Sequence, residues 1–499
     1  MQHRLLYITR LFAQKRLDEA PGAAEVYRRH ALLVRDRLVA SQAEGANMSR
    51  YRWTAALASS IADLRSAINW AMTEENDLNL GLEITAECRR NFRDAGLIAE
   101  YQRHAAAALK KMESTGAQDA RAELTLRLGL TFVTSNMRQG REGQERLFDR
   151  VRQLVDEAGS VEDRIEMLFG MAVGAYGQGE YRYSLARCEE IRALTEGAFE
   201  PLSVALADRI SVLNLHALGD HAQAERLAER VLAFDGERVG RRYLSEVPFS
   251  VSMRIRLARI HWLRGNFQLA WSVMHEALPL ARDAHLFALV QVLGMAAIPF
   301  AIWQGESGMA REWIQELRER SLRAGLEYWQ SYGHMLGWVL EGGTLPSPES
   351  VEHDMLRQNT PLTDLVSALC AEARPMPATC ERVAQGKVGW CAPEVLRRSA
   401  LAELAVSQGD PAARQRCIDQ LQQALDLSKR QGARFWSLRI LTSWCRLAVP
   451  GEPDYSSARE RLAALLKTID DGSSQPDLQS ARQWAREPAQ IIFDGKGAT

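Results

Sequence analysis

Four glycines constrain this chain more than anything else in it. Gly179-Glu180-Tyr181, Gly219-Asp220-His221, Gly265-Asn266-Phe267 and Gly305-Glu306-Ser307 follow one another at steps of 40, 46 and 40 residues. Self-similarity at one period points to a stacked unit rather than to a single globular core. Gly96, Gly140 and Gly409-Asp410-Pro411 are weaker members of the series. Five residues after each strong glycine stands a small residue: Ser184, Ala224, Ala270 and Ala310. Glycine takes a left-handed conformation cheaply, so it lets the chain turn between two antiparallel helices. The small residue then lets the second helix pack closely on the first. Good helix formers (Ala, Leu, Arg, Glu, Gln) dominate the 499 residues, and alternating β-branched and aromatic runs are nearly absent.

The third unit carries the pattern in full, with Ala258, Gly265, Phe267, Ala270 and Ala277. That is the grammar of a tetratricopeptide (TPR) repeat. The fold expected is all-α: TPR-like antiparallel helix hairpins stacked into a right-handed α-solenoid, because one hairpin cannot bury its apolar stripe alone. Hairpins are expected at about 50–115, 118–157, 160–197, 200–234, 243–283, 285–323 and 395–430. Residues 342–394 break the pattern with GGTLPSPES and then Pro361, Pro375, Pro377 and Pro393, as an irregular connector or a degenerate repeat. The expected organisation is an N-terminal helical segment over 1–48, TPR-like repeats over 49–341, the irregular part over 342–394, and C-terminal repeats over 395–499. Residues 468–499 read as one last helix and a frayed tail.

A net charge of -1 and a pI near 6.8 offer no basic excess for phosphate neutralisation, so direct nucleic-acid binding by this chain is not expected. No apolar run reads as the roughly 20 residues needed to cross a bilayer, and the N-terminus lacks the pattern of a signal peptide, which predicts a cytoplasmic protein without membrane contact. Seven cysteines, at 88, 188, 370, 380, 391, 417 and 445, are scattered and never in CxxC spacing, as expected of reduced thiols packed as small hydrophobes. Gly177-Gln178-Gly179 starts like a dinucleotide fingerprint, but Arg182 stands where the third glycine belongs. His216 and His221 are the closest pair to a metal site, with a turn between them. No enzyme motif and no cofactor motif emerge, so no catalytic residue, cofactor or metal is assigned; an all-α enzyme is the outlying reading.

If anything binds, the inner surface of the array is the place. Residues lining a TPR-type concave face recur about three, six and ten positions before the turn glycine. That register selects Tyr176, His216, Arg259 and Trp262 as candidate groove residues for a protein or peptide partner or a small effector. Six of the twelve tryptophans (262, 271, 303, 313, 329 and 338) cluster in the same stretch and serve equally well as core fillers or as a partner groove. Arg254, Arg256, Arg259 and Arg264 share one helix, preceded by Arg238, Arg241 and Arg242; they read as a solvated face or as a cationic patch for an acidic ligand.

The opening HRLLYITRLFAQKRL, the stretch Tyr27-Arg28-Arg29-His30-Ala31, and Ile61-Ala62-Asp63-Leu64-Arg65-Ser66-Ala67-Ile68-Asn69-Trp70-Ala71 resemble the start of the helical region in bacterial "predicted ATPase" transcriptional regulators. Gly325-Leu326-Glu327-Tyr328-Trp329 with Leu336-Gly337-Trp338 is similar to that family's middle repeats. The stretch from Leu396 to Gln475-Pro476-Asp477-Leu478-Gln479-Ser480-Ala481-Arg482 is similar to its closing repeat. The family joins a winged-helix DNA-binding domain and a STAND-type NTPase module to a long TPR-like array. Residues 1–17 resemble the tail of the winged-helix piece that closes the NTPase module. The phosphate loop itself is missing: at Gly386-Lys387 the position of the first glycine is Glu381 and the residue after the lysine is Val388. The resemblance implies the sensor region alone, as a gene fragment, a split protein or a piece cut to the sensor part, and it leaves room for an NTPase and DNA-binding partner encoded upstream. The expected function is a regulatory partner- or effector-binding module of a signal-responsive bacterial regulator. The alternative is a free-standing TPR scaffold that mediates protein–protein interactions.

Overall fold

The computed structural model describes residues 7–45, 50–73, 77–95, 97–131, 141–196, 201–234, 247–284, 286–323, 325–342, 360–369, 375–407, 410–447, 453–469 and 474–486. Among these every regular element is a helix, and helices adjacent in sequence pack against each other, as in an α-solenoid. Gly96, Gly140, Gly409, Cys370 and the arginines at 238, 241 and 242 lie outside the described residues.

Two compact units are present, one within Met1–Met171 and one formed by Ala172–Asp235 with Ser245–Thr499; the division falls inside the Val161–Gly177 helix. In the first unit the span 50–115 is more finely divided than a hairpin: Arg50–Ala71, Leu78–Glu87, Arg89–Asp94 and Ile98–Thr115. Asp77 caps the second of these by accepting from the amide of Leu80. Their core gathers Leu64, Ile68, Leu82, Ile84, Phe92, Tyr101 and Ala105. Arg89 pairs with Glu166 at 2.7 Å, and Arg121 with Asp163.

In the second unit the glycine series does what its spacing predicts. Gly179, Gly219, Gly265 and Gly305 have φ of 77°, 88°, 82° and 78°, each between a pair of helices. Ser184, Ala224, Ala270 and Ala310 are fully buried at the helix crossings. Ser184 has a polar reason to be there, since its hydroxyl donates to the carbonyl of Ala172 at 2.7 Å and accepts from Asn214 at 2.7 Å.

The Leu286–Gln304 segment corrects one expectation. Its 19 residues are long and apolar enough to cross a membrane by length and composition, yet 78% of the stretch is buried inside the protein. An all-round apolar helix is also what the centre of a large helical core requires. It is not regular: Leu293–Ala297 widens into a π turn just before Pro299, which cannot donate back along the helix. There Gly294 leaves room for Trp329 and Tyr332, and the Tyr332 hydroxyl donates to the Gly294 carbonyl at 3.3 Å. Within 342–394 the described parts hold short helices, Thr360–Leu369 and Pro377–Ala384, before Ala392–Val406 begins. The last helix is Pro476–Arg486.

Candidate functional site

The inner wall of the second unit is not an open groove, because the chain covers it with its own later residues. The amides of Gly389 and Trp390 donate to the carbonyl of Ala217 at 2.9 and 3.2 Å. Position 389 admits no side chain: a Cβ there would sit 1.9 Å from the carbonyl oxygen of Leu218. The four turn glycines are met in order by later residues: Gly179 by Arg382, Gly219 by Gln431, Gly265 by Ile469 and Gly305 by Pro476. Polar contacts lock the joint. Arg382 donates to the Gly179 carbonyl at 3.3 Å, Gln431 to Gly389 at 2.7 Å, Trp436 to Trp390 at 2.8 Å and Gln475 to Trp303 at 3.2 Å.

The four residues selected by register therefore lie on the inner wall, but under cover. Trp262 is fully buried, stacked on Phe300 at 4.6 Å and on Trp303 at 5.6 Å, with Phe267 and Phe435 edge-on. It fills the core, which corrects its reading as a groove residue, and Trp303 and Trp329 are buried with it. Trp271, Trp313 and Trp338 pack half-buried against the same core. Tyr176 is half-buried and accepts from Arg256 at 3.0 Å. His216 stacks on Trp390 at 5.7 Å and tilts against His221 at 5.1 Å. The guanidinium of Arg259 lies over the same Trp390 ring, 4.3 Å from its centroid. Tyr176, His216 and Arg259 are thus brought into one polar layer roofed by Trp390, and Trp262 falls into the aromatic layer beside it.

The arginine-rich helix, Phe249–Leu263 and its cap Arg264, does not present one cationic face. Arg254 reaches Glu276 at 3.1 Å and Arg264 pairs with Glu225, both toward the outside. Arg256 and Arg259 point inward and are each only 3% exposed. Arg256 uses its terminal nitrogens on Tyr176 and, at 3.9 Å, on the sulfur of Met295, while its Nε has no partner. On Arg259 both Nε and Nη2 are without a hydrogen-bond partner.

Electrostatics follow from this burial. Burial first, and then the neighbouring Arg256, pulls the Arg259 guanidinium down to about 10. His216 is held well below the usual imidazole range by burial, with Arg259, His221 and Arg256 adding to it. Burial, then Arg264 and Arg259, takes His221 to about 3. Both imidazoles are neutral, and none of their four ring nitrogens has a partner. One layer away, burial raises the Asp364 carboxyl to about 6 despite Arg382 at 3.6 Å and hydrogen bonds from Tyr181 and Thr379.

Among the described residues no three His, Cys, Asp or Glu side chains converge as metal ligands would. Lys387, nearest to a phosphate-loop lysine, pairs with Glu180 at 3.2 Å behind the left-handed turn of Gly386. Trp390 is the functional candidate that sequence reasoning missed, whereas Arg256 was named only within a solvated face or cationic patch and not as a residue of the inner layer. Trp390 reaches the wall only through contacts that no period announces. No protein-family model matches the chain, and no match was found among curated proteins.

Proposed function

We propose that this chain is the effector-binding regulatory module of a bacterial, cytoplasmic, signal-responsive transcriptional regulator, built of TPR-like repeats and performing no chemistry of its own. The sensor region of the "predicted ATPase" regulators, which the sequence resembles, is the counterpart. The observation that carries this reading is the polar layer of Tyr176, His216, Arg256 and Arg259 under Trp390. A wall covered by the chain itself suits a small molecule held between the two faces better than an extended peptide laid along an open groove. An effector that prefers one arrangement of the covering segment shifts the population toward it, and that shift is what an attached or associated NTPase and DNA-binding part would read.

Calorimetric titration of the full chain with a panel of small metabolites and a panel of extended peptides tests this. A saturable metabolite that survives incubation unchanged is the expected result. Binding of extended peptides alone would make the chain a scaffold, and turnover of the metabolite would make it an enzyme; either outcome overturns the reading.

A further inference from the structure

Burying a guanidinium is costly unless an anion answers it. The second unit follows that rule at its buried carboxylates. Asp208 meets Arg192 at 2.8 Å and Arg230 at 2.9 Å, Asp364 meets Arg382 at 3.6 Å, and Glu394 meets Arg397 at 2.7 Å and Arg439 at 3.1 Å. Arg256 and Arg259 break it. Among the described residues no carboxylate pairs with or hydrogen-bonds to either, although they are among the most buried arginines of the unit and close enough to repel each other. The groups around them are Tyr176 from one helix, His216 from the next, Met295 from the π turn, Tyr332 from the Glu327–Leu340 helix, and Trp390 with Cys391 from the covering segment. All of these are neutral: hydroxyl, imidazole, thioether, indole and thiol.

The donors left over have a shape. Nε and Nη2 of Arg259 form the side edge of the guanidinium, one of the two edges that grip two oxygens of a single oxyanion, and both are free. The Nε of Arg256 is a third free donor in the same layer. The Arg259 guanidinium carbon sits 4.3 Å over the Trp390 ring, a contact that holds the group without consuming its N–H donors.

We propose that Arg256 and Arg259 are the clasp of an internal anion site, and that the effector of this protein carries a small oxyanion, a carboxylate or a phosphate, which the free edge of Arg259 holds in two-point contact. This rests on the effector-binding reading and names the chemical class of its ligand. The Arg256 Nε supplies the third contact, and the hydroxyl of Tyr176, which accepts from Arg256, keeps its own hydrogen to donate.

The test is thermal unfolding of the full chain at fixed pH and ionic strength, with inorganic phosphate, succinate or chloride as the varied anion. Phosphate or succinate should raise Tm in a saturable way, by something on the order of 2 °C, and chloride should not. The arm with the larger response tells phosphate from carboxylate. Arg259→Met should abolish the rise while leaving the ligand-free Tm unchanged or higher, since an unanswered buried charge is removed. A merely structural arginine would instead lower it. Arg259→Lys keeps the charge without the fork and should weaken the response at least tenfold. Arg254→Met, on the outer face of the same helix, should leave it intact. Equal responses to all three anions, or a rise that persists in Arg259→Met and Arg259→Lys, would overturn the site. A saturable uncharged ligand indifferent to both variants would overturn the anion class while effector binding stood.

Discussion

The amide of Gly389 donates to the carbonyl of Ala217 at 2.9 Å, across 172 positions of sequence, and this bond fixes the covering segment to the inner wall. It requires that residue 389 have no side chain. Gly389→Ala should therefore cost about 3 kcal/mol or more, because the clash is with backbone and cannot be relieved by a rotamer. Gly386→Ala, three residues earlier in a left-handed turn with open space around it, should cost about 1 kcal/mol. Urea unfolding of both variants measures the difference. Equal costs would mean that the approach of 389 to 218 is looser than described.

Ala270 is fully buried where its helix crosses the one before it. Ala270→Arg places a long cation at that crossing, and an unpaired buried charge typically costs about 3–5 kcal/mol. Hydrogen exchange should report the damage first across Phe249–Arg323. Arg254→Ala, which loses the exposed ion pair to Glu276 and one hydrogen bond to the Ser250 carbonyl of its own helix, should cost about 1 kcal/mol at most. A silent Ala270→Arg would refute the helix register.

The inner wall carries a pH dependence. His221 is depressed to about 3 by burial and by Arg264 and Arg259, so in acid the unfolded chain binds a proton that the folded chain refuses. Stability should fall as the pH drops from about 6.5 toward 3. His221→Phe should flatten that fall. Asp364 acts with the opposite sign: with its carboxyl raised to about 6, its contribution is present below the ordinary value near 4 and is lost as the pH rises through 6. Melts of His221→Phe and Asp364→Asn between pH 4 and 7 should diverge from the parent in opposite directions. Parallel curves would show that neither group titrates across that window.

ATP should be neither hydrolysed by the purified chain nor bound through Lys387, whose ammonium is engaged by Glu180. Tight ATP binding removed by Lys387→Ala would contradict this.

The turns were legible because glycine leaves a mark that physics forces: a positive φ at 179, 219, 265 and 305 is cheap for no other residue. The small residues five positions later were legible for the same kind of reason, since a helix crossing has a fixed amount of space. Register grouped Tyr176, His216 and Arg259, and they do share one layer under Trp390, because a helix face is a local property. What covers that wall is not local. Arg382 finds Gly179 across 203 positions and Gln475 finds Trp303 across 172, with no period to announce either. Arg259 therefore read as an open groove residue, whereas it lies beneath an indole contributed by the covering segment.

That covering segment also changes how the protein must be made. A repeat array ordinarily exchanges contacts only with its neighbours, so each unit can complete itself soon after it is synthesised. Here the inner faces of Tyr181–Thr195, Phe249–Leu263 and Ile298–Gln304 wait for Arg382, Trp390, Phe435 and Gln475, which leave the ribosome well after them. Until then Trp262 lacks Phe435, and Trp303 lacks Phe435, Trp436 and Gln475, so the nascent chain leaves more apolar surface uncovered than an open solenoid would. The same closure turns a structure that grows by simple addition into one with a final, committing step. Loss of the Pro476–Arg486 helix alone would uncover the Gly305 turn, more than a hundred positions upstream.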